Sequence, residues 1–560
     1  MLLICLLLIL SLQLAGGSGL PIKDGGAIVQ TQYGAVQGIS VEEGDIFLGL
    51  PFAEPPVGDL RWQPPQPFSS QWSPSVRDGS VPGQACPQHG CQTEGHDPQH
   101  LCPRDGKQSE DCLYLNIFVP HASHHDTEKL PVLFFIHGGD YGSSSGSALA
   151  YDGRFLAEKS NTVVVTTNYR LGALGFLVAG QGKDAATGNY GLLDQIEALK
   201  WVQANIGNFR GDKNRVTLVG QGAGADSIGI HLTSNKSAGL FDKAIMLSLP
   251  FTIPHKSKVE ALLLGDYFAE QLNCSHGDMR CLRSKSVNDV VAVQQKADRY
   301  ITNPFKLLEL FTNWSPTIDS DILSAEVLDS FSRGLFQRKP FIIGTTSEEA
   351  VLFVHASFNK KMSKLEFEEF ILAFMHEKAV AVYKEYKSPP SSDYRPYLAE
   401  MLTDLVFTCP TRNVIRSAVA AGDTNVWLYV FDQVWSMKHA WDLNPYCNGH
   451  VCNGEDLAFL FQAAPLVNIT LTFDEQNMAD DMAVYYGNFA HTGNPNTPGL
   501  HSRFTHAKKS GGLLWPRYNQ HGHYTSLNIT TPQNVLIQDY RKEKCDFWDK
   551  MKKYTGMKSG

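Results

Sequence analysis

The sequence lacks the features that mark several classes of protein. It has no excess of basic residues, because 48 Lys and Arg stand against 57 Asp and Glu and give a formal net charge of −9. Binding to nucleic acid needs a basic face, so a nucleic-acid partner is excluded. The chain also shows no internal repeat and no Pro-, Gly- or Ser-rich linker. We therefore expect one large domain over residues 20–560, with long insertions.

Long hydrophobic runs are missing after the first twenty residues, so we expect no membrane anchor. The opening run, MLLICLLLILSLQLAGGSG, is short and ends in small residues. This pattern predicts a secretory signal peptide over residues 1–19, with a signal anchor as the alternative. The C-terminal GMKSG shows neither a GPI tail nor an ER-retention signal. The expected location is therefore secreted and extracellular.

The cysteine count agrees with secretion. Of 11 cysteines, Cys5 lies in the predicted signal peptide, which leaves an even number for disulfides in an oxidising compartment. Their irregular spacing does not favour a metal site, and we expect no metal and no cofactor. Five N-x-S/T sequons predict a glycosylated surface: Asn235, Asn273, Asn313, Asn468 and Asn528.

Short apolar runs that alternate with helical patterns indicate an α/β fold. VLFFIH (132–137), TVVVTTNY (162–169) and VWLYVF (426–431) are typical of buried strands, as are VTLV, AIML and FIIG (216–219, 244–247, 341–344). The segment 188–206 has apolar residues at three- and four-residue spacing, which predicts a helix. This order predicts a mostly parallel central sheet flanked by helices. The region 250–335 is expected to be a helical, irregular insertion beside the site.

The strand VTLV runs into Gly220-Gln221-Gly222-Ala223-Gly224, and a helical stretch follows. Strand, tight glycine turn and helix are the context of a nucleophile elbow, in which the central residue projects into a pocket. The next backbone N–H, from Ala223, would face a developing oxyanion. The G-x-S-x-G pattern is complete except that Gly222 replaces the serine. Taken alone, the segment also fits a plain glycine-rich turn.

The flanking motifs identify the chain as resembling type-B carboxylesterases and cholinesterases over essentially its whole length. The motifs that carry this resemblance are FLGLPFAEPPVGDLRW (47–62), SEDCLYLNIFVP (109–120), HGGD (137–140), NYRLGALGF (168–176), GNYGLLDQIEALKWVQANI (188–206) and CDFWD (545–549). The pattern Cys-x-Gly-His-Val-Cys at 447–452 looks like the crystal-protein type of esterase. The resemblance implies an α/β-hydrolase fold and carboxylic ester hydrolysis by a Ser, Glu, His triad.

By motif, the three triad positions fall on Gly222, Glu349 and Asn453, with Glu348 one residue away from the acid position. Glycine cannot attack a carbonyl, and a neutral amide is no general base. No catalytic set is therefore intact, and the chain is expected to be a degenerate member that is not an enzyme. Asn453 keeps an N–H that could donate to Glu349.

The oxyanion-hole positions implied by the resemblance are Gly138, Gly139, Asp140 and Ala223. A carboxylate at Asp140 disfavours a developing negative charge. His450 and Ser227 are the nearest side chains that could replace the missing ones. We expect His450 to have a structural role in a tight loop and Ser227 to pack within its helix.

Three disulfides follow from the resemblance and two from the cysteines that remain. The family pairs are Cys86–Cys112, Cys274–Cys281 and Cys409–Cys545, and the remainder pair as Cys91–Cys102 and Cys447–Cys452.

Three functions stay open at this stage. The first is a non-catalytic binding or adhesion protein, since the family contains such members, neuroligins among them; its partner would be an extracellular protein or a second copy. The stretch 365–386 and a C-terminal helix over about 534–554 could form a dimer face, or could pack on their own domain.

The second function is a receptor or carrier for a small apolar or ester-like ligand, held in the former active-site pocket by N–H groups of Gly138, Gly139 and Ala223. The third is a residual or altered ester hydrolase.

Overall fold

The structure is a computed structural model. It describes residues 25–89, 102, 106–121, 128–303, 306–387, 389–423, 425–437, 441, 444–498 and 513–551. The predicted signal peptide, 1–19, and Cys91 lie outside the described residues.

The strands follow the apolar runs of the sequence. In chain order they are β1 (Ile28–Thr31), β2 (Gly34–Gln37), β3 (Ile39–Ser40), β4 (Gly44–Pro51), β5 (Arg77–Asp78), β6 (Tyr114–Pro120), β7 (Leu130–Ile136), β8 (Val163–Thr167), β9 (Val178–Ala179), β10 (Ala186–Thr187), β11 (Gly211–Gln221), β12 (Lys243–Leu247), β13 (Lys256–Ser257), β14 (Thr317–Ile318), β15 (Phe341–Thr346), β16 (Val426–Phe431), β17 (Thr525–Ile529) and β18 (Val535–Gln538).

The central sheet has 11 strands in the order β18-β17-β16-β15-β12-β11-β7-β8-β6-β4-β3. The strands from β8 to β17 pair in parallel, and the outer pairs at both ends are antiparallel. Every residue of β7, β8, β12 and β15 is buried, as expected for strands covered on both faces. The predicted mostly parallel sheet is confirmed, and the architecture is that of an α/β-hydrolase.

The helices cover both faces of this sheet and build the insertions. In chain order they are α1 (Arg154–Ser160), α2 (Gly172–Phe176), α3 (Tyr190–Asn205), α4 (Ala223–Thr233), α5 (Lys258–Gln271), α6 (Met279–Ser284), α7 (Val287–Ala297), α8 (Val327–Ser332), α9 (Ala350–Ser357), α10 (Lys364–Met375), α11 (Ala379–Glu385), α12 (Arg395–Leu402), α13 (Cys409–Ala420), α14 (Asp456–Phe461), α15 (Phe473–Thr492) and α16 (Lys542–Met551). A π-helical turn, Thr403–Thr408, joins α12 to α13. In the described part of the chain, none of these helices is both long and apolar enough to cross a membrane.

One helix boundary differs from the prediction. The C-terminal helix was expected from about 534, but it begins at Lys542. The preceding segment is strand β18, whose residues Val535–Gln538 pair with β17 at the edge of the central sheet. Pairing across the sheet therefore decides the conformation of this segment, since backbone hydrogen bonds to a neighbouring strand override a local helical pattern.

Two buried ion pairs connect the quoted motifs to one another. Arg61 donates two hydrogen bonds to Glu110, at 2.6 and 2.5 Å, which join the motif at 47–62 to the motif at 109–120. Arg170 likewise donates to both carboxylate oxygens of Asp194, at 2.8 and 2.7 Å, joining the fourth motif to helix α3. Bidentate guanidinium–carboxylate pairs fix orientation as well as distance, so these two pairs hold the motifs in fixed positions relative to one another.

Four of the expected disulfides are present: Cys86–Cys112, Cys274–Cys281, Cys409–Cys545 and Cys447–Cys452. Cys102 is also disulfide-bonded, and its expected partner, Cys91, lies outside the described residues.

The glycosylation prediction needs a correction at two of its five positions. Asn313 is 5% exposed, and its amide donates to the carbonyls of Ala297 and Tyr300 at 2.7 and 3.3 Å. Asn528 is 8% exposed within strand β17. Neither side chain leaves room for a glycan on the folded chain. Asn235, Asn273 and Asn468 are exposed and remain predicted sites.

Candidate functional site

The elbow at Gly222 keeps the backbone of a nucleophile position without its side chain. Strand β11 ends at Gln221, helix α4 begins at Ala223, and Gly222 between them has φ 54° and ψ −118°. This region strains residues that carry a Cβ, so glycine relaxes the turn. A Cβ placed at Gly222 would meet no atom within 4 Å. The space for a side chain is therefore still present.

Asn453 stands beside this elbow and is bound on both sides. Its Nδ2 donates to Glu349 Oε2 at 2.6 Å, and its Oδ1 accepts from Gln221 Nε2 at 2.8 Å. The expected hydrogen bond from Asn453 to Glu349 is therefore present. Both halves of the amide are occupied, and neither can take up a proton near neutral pH.

Glu349, rather than Glu348, occupies the buried acid position. It is fully buried and accepts from the Thr346 N–H at 2.8 Å as well as from Asn453. Burial raises the pKa of Glu349 to about 7, although these hydrogen bonds lower it. Glu348 points away and accepts from His450 Nδ1 and the Val451 N–H, each at 2.9 Å. His450 thus braces the Cys447–Cys452 loop.

The oxyanion loop presents a carboxyl group to the site. The loop follows β7 as a tight turn in which the Gly142 and Ser143 N–H groups donate to the Gly139 carbonyl at 2.9 and 3.0 Å. Asp140, with φ 55°, is exposed and lines the cavity described below. Desolvation raises the pKa of Asp140 to about 6. The carboxyl would repel an oxyanion whenever it is ionised.

A cavity of about 400 Å³ opens above these residues. Gly139, Asp140, Gln221, Gly222 and Asn453 form its polar floor. Its walls are apolar and rich in aromatic rings, and they include Tyr151, Ile253, Leu308, Phe311, Leu352, Phe353, Val406, Phe407, Trp435 and Trp441. Apolar walls around a few convergent polar groups are typical of small-molecule sites, and the volume lies in their usual range.

Neither of the two side chains considered as replacements, Ser227 and His450, lines the cavity. Ser227 is fully buried in α4 and donates to the Ala223 carbonyl at 2.9 Å, one helical turn back. His450 is tied to Glu348 and does not line the cavity. The structure therefore places no described serine–histidine pair at the elbow.

Two features of the site were missed from the sequence. Gln221 lies inside the elbow motif, but its bond to Asn453 spans 232 residues of chain. Behind the oxyanion loop, His255 bridges Asp226 and Glu326 at 3.0 and 2.7 Å. Asp226 is four residues past Gly222, and its polarity within an apolar helix was the available signal.

The order of strands and the flanking helices define an α/β-hydrolase scaffold. Residues 25–548 match the model of the Carboxylesterase family, and the chain belongs to that family. Among curated proteins it is 34% identical to the crystal protein of Dictyostelium discoideum, over 93% of this chain and 90% of that protein. It is 37% identical to the cAMP-regulated D2 protein of the same organism (84% and 85% covered). It is 33% identical to acetylcholinesterase of Bungarus fasciatus (95% and 87% covered).

Proposed function

We propose that this chain is a secreted, non-catalytic carboxylesterase-family protein that binds a small apolar or ester-like ligand in the cavity above Gly222. One observation carries the proposal. The cavity is retained at about 400 Å³, while glycine occupies the nucleophile position and a doubly hydrogen-bonded amide, Asn453, occupies the base position. Such a site can hold a ligand without attacking it.

The loss of chemistry rests on side-chain identity. A hydrolase of this type needs a hydroxyl that attacks and an imidazole that takes its proton. Gly222 supplies no hydroxyl, and Asn453 supplies no base. Removing triad members lowers kcat by about 10⁴- to 10⁶-fold in serine hydrolases, and Asp140 opposes what an oxyanion hole would add.

Secretion is supported by the disulfides and by the opening of the sequence. Four disulfides in the described residues fit an oxidising compartment. The apolar first residues followed by small ones fit a signal peptide. N-terminal sequencing of the protein from culture medium tests this, and a first residue near 20 is expected.

The first test introduces a serine and a histidine at the two triad positions that lack them. Gly222→Ser with Asn453→His should give hydrolysis of an activated short-chain ester at least about 100-fold above wild type. A Cβ at position 222 is sterically free, and position 453 already contacts Glu349. Adding Asp140→Gly should raise the rate further, because it removes the charge that opposes the oxyanion. Gly222→Ala with Asn453→His is the matched control and should stay inactive.

The second test concerns binding. An apolar aromatic ester or alcohol should raise the melting temperature of the wild-type protein, since a ligand that binds only the folded state stabilises it. Ala458 lines the cavity, so Ala458→Trp should fill it and abolish the shift. Leu335→Trp, at a position that is 53% exposed and does not line the cavity, controls for the added indole. A shift that survives Ala458→Trp would place the ligand elsewhere.

A second candidate function is association with another protein, most simply a second copy. Leu365 and Leu372 lie two turns apart on one face of α10 and are 63% and 61% exposed. Val380 on α11 is 66% exposed. Sedimentation at micromolar concentration should then show a dimer that Leu365→Glu with Leu372→Glu converts to a monomer. A wild-type monomer would end this candidate.

A further inference from the structure

The carboxyl group of Asp140 has no partner in the described structure. No described hydrogen bond or ion pair reaches it, and it is exposed where it lines the cavity. A carboxylate that lines a cavity can accept a hydrogen bond from a ligand bound there. Asp140 also borders a small polar recess behind the floor, which is lined by Tyr141, Asp226 and His255. This recess is the nearest place where a counter-charge could be found.

The recess does not supply one. His255 donates through both ring nitrogens, to Asp226 at 3.0 Å and to Glu326 at 2.7 Å. Burial lowers the pKa of His255, but the two carboxylates raise it to about 10, so the ring is an imidazolium. One positive charge between two negative charges leaves the network with a net charge of −1. Tyr141 adds only a neutral hydroxyl, which donates to Asp226 at 2.6 Å.

The other ionisable groups around the floor do not neutralise Asp140 either. Burial lowers the pKa of His137 to about 4, so this ring is neutral where it stacks on Tyr169, 4.4 Å away. Glu349 is itself an acid and is held by Asn453. His89 lines the cavity but is exposed, and its described contact is with Gln295 at 3.4 Å. The cavity floor therefore carries an excess of negative charge.

The walls of the cavity contribute aromatic rings that can bind the apolar part of a ligand. Phe353 stacks on Phe407 with ring centroids 6.0 Å apart, and Trp435 stacks on Trp441 at 5.3 Å. All four residues line the cavity. Aromatic faces bury apolar groups and also attract cations through the quadrupole of the ring.

We propose that the ligand is an amphipathic organic cation: a molecule with an apolar or aromatic body and a protonated amine whose N–H donates to Asp140. This inference rests on the proposed binding function and names its ligand class. The Asp140 side chain adds an acceptor to a loop whose backbone N–H groups were expected to hold a carbonyl oxygen. Anionic ligands are disfavoured by the same carboxylate.

The test uses four probes that share a phenylbutyl body. They are 4-phenylbutylamine, its N,N,N-trimethylammonium analogue, 4-phenylbutanol and 4-phenylbutyrate. Isothermal titration at pH 7.5 with the full secreted protein should rank the primary amine at least about 10-fold tighter than the alcohol, since hydrogen bonds to charged groups are the stronger ones. The trimethylammonium analogue has the charge but no N–H and should bind more weakly than the amine. The carboxylate should bind most weakly.

Asp140→Asn removes the charge and keeps the shape. Asparagine tolerates the left-handed conformation at position 140 (φ 55°), so the fold should be kept. Amine affinity should fall about 10-fold or more, toward that of the alcohol, while the alcohol should be unchanged. Asp59→Asn, at an exposed position, controls for the loss of one surface charge.

The outcomes separate the two proposals. If all four probes bind equally to wild type and to Asp140→Asn, the cation inference is overturned while cavity binding stands. Equal binding of the amine and its trimethylammonium analogue overturns the N–H contact to Asp140. If no probe binds, the proposed binding function fails and this inference fails with it.

Discussion

The Asn453 amide joins Glu349 and Gln221 in one chain of hydrogen bonds, donating to the first at 2.6 Å and accepting from the second at 2.8 Å. The bridge supplies the partner of Glu349 Oε2, while Oε1 of the same buried carboxyl accepts from the Thr346 N–H. It also fixes the orientation of the amide, because exchanging its nitrogen and oxygen would set like groups against each other at both ends. Asn453 thus connects Glu349 to the turn that holds Gly222.

Asn453→Ala should destabilise the protein by about 1–3 kcal/mol, because it leaves a buried carboxyl and a buried amide short of a partner. Urea unfolding followed by tryptophan fluorescence measures the change. Asn448→Ala, at an exposed position of the neighbouring loop, should change the free energy of unfolding by less than about 0.5 kcal/mol. Equal stabilities for the two variants would contradict the bridging role.

Glu349→Gln should make the free energy of unfolding fall less as the pH rises. Burial raises the pKa of Glu349 from 4.5 to about 7 in the folded state. The unfolded state therefore releases this proton first, and wild-type stability falls as the pH rises from about 4.5 through 7. Relative to the variant, wild type should lose up to about 3 kcal/mol over that window. Unfolding free energies of both proteins at pH 5 and 8 give the comparison, and parallel profiles would refute the raised pKa.

Amine binding should weaken in acid. The pKa of Asp140 is raised to about 6, so its carboxyl is ionised above that pH and neutral below it. An alkylamine stays protonated throughout, and affinity should therefore rise as the pH increases from 5 to 7.5. Because Glu349 titrates in the same range, Asp140→Asn is the necessary control and should flatten the profile. A pH dependence that is unchanged in this variant would assign the effect to another group.

Removing a disulfide should lower the free energy of unfolding most where the disulfide closes the longest loop. Cys409–Cys545 spans 136 residues and ties α16 to α13, while Cys274–Cys281 spans 7. Replacing the first pair with alanines should destabilise the protein by about 3–5 kcal/mol, and replacing the second should cost about 2 kcal/mol less. Thermal unfolding of the two double variants tests the order. A reversed order would contradict the loop-length argument.

The parts of the fold that local sequence encodes were predictable. Near-continuous apolar runs predicted the parallel strands, and β16 has the bounds of the VWLYVF run. Short motifs singled out Gly222, Glu349 and Asn453; in the structure Gly222 and Asn453 line one cavity and Asn453 donates to Glu349. The strand predictions succeed because each apolar run carries its own strand signal.

Features that depend on distant chain segments were not predictable. The segment before α16 became β18 because an edge of the central sheet was there to pair with. Asn313 is buried because its amide meets the end of α7. The His255 network joins residues 29 and 71 positions away, and no local pattern specifies such a meeting. Burial and partner choice follow from tertiary packing, which one sequence does not display.

The most direct test of the account measures occupancy and turnover in one sample. The wild-type protein is titrated with an apolar activated aryl ester. Quenching of tryptophan fluorescence measures binding, because Trp435 and Trp441 line the cavity. Release of the phenol measures hydrolysis. The account predicts saturable quenching, absent in Ala458→Trp, with phenol released at the rate of buffer alone. Phenol release above buffer that disappears in Glu349→Gln or in a His450 variant would contradict it.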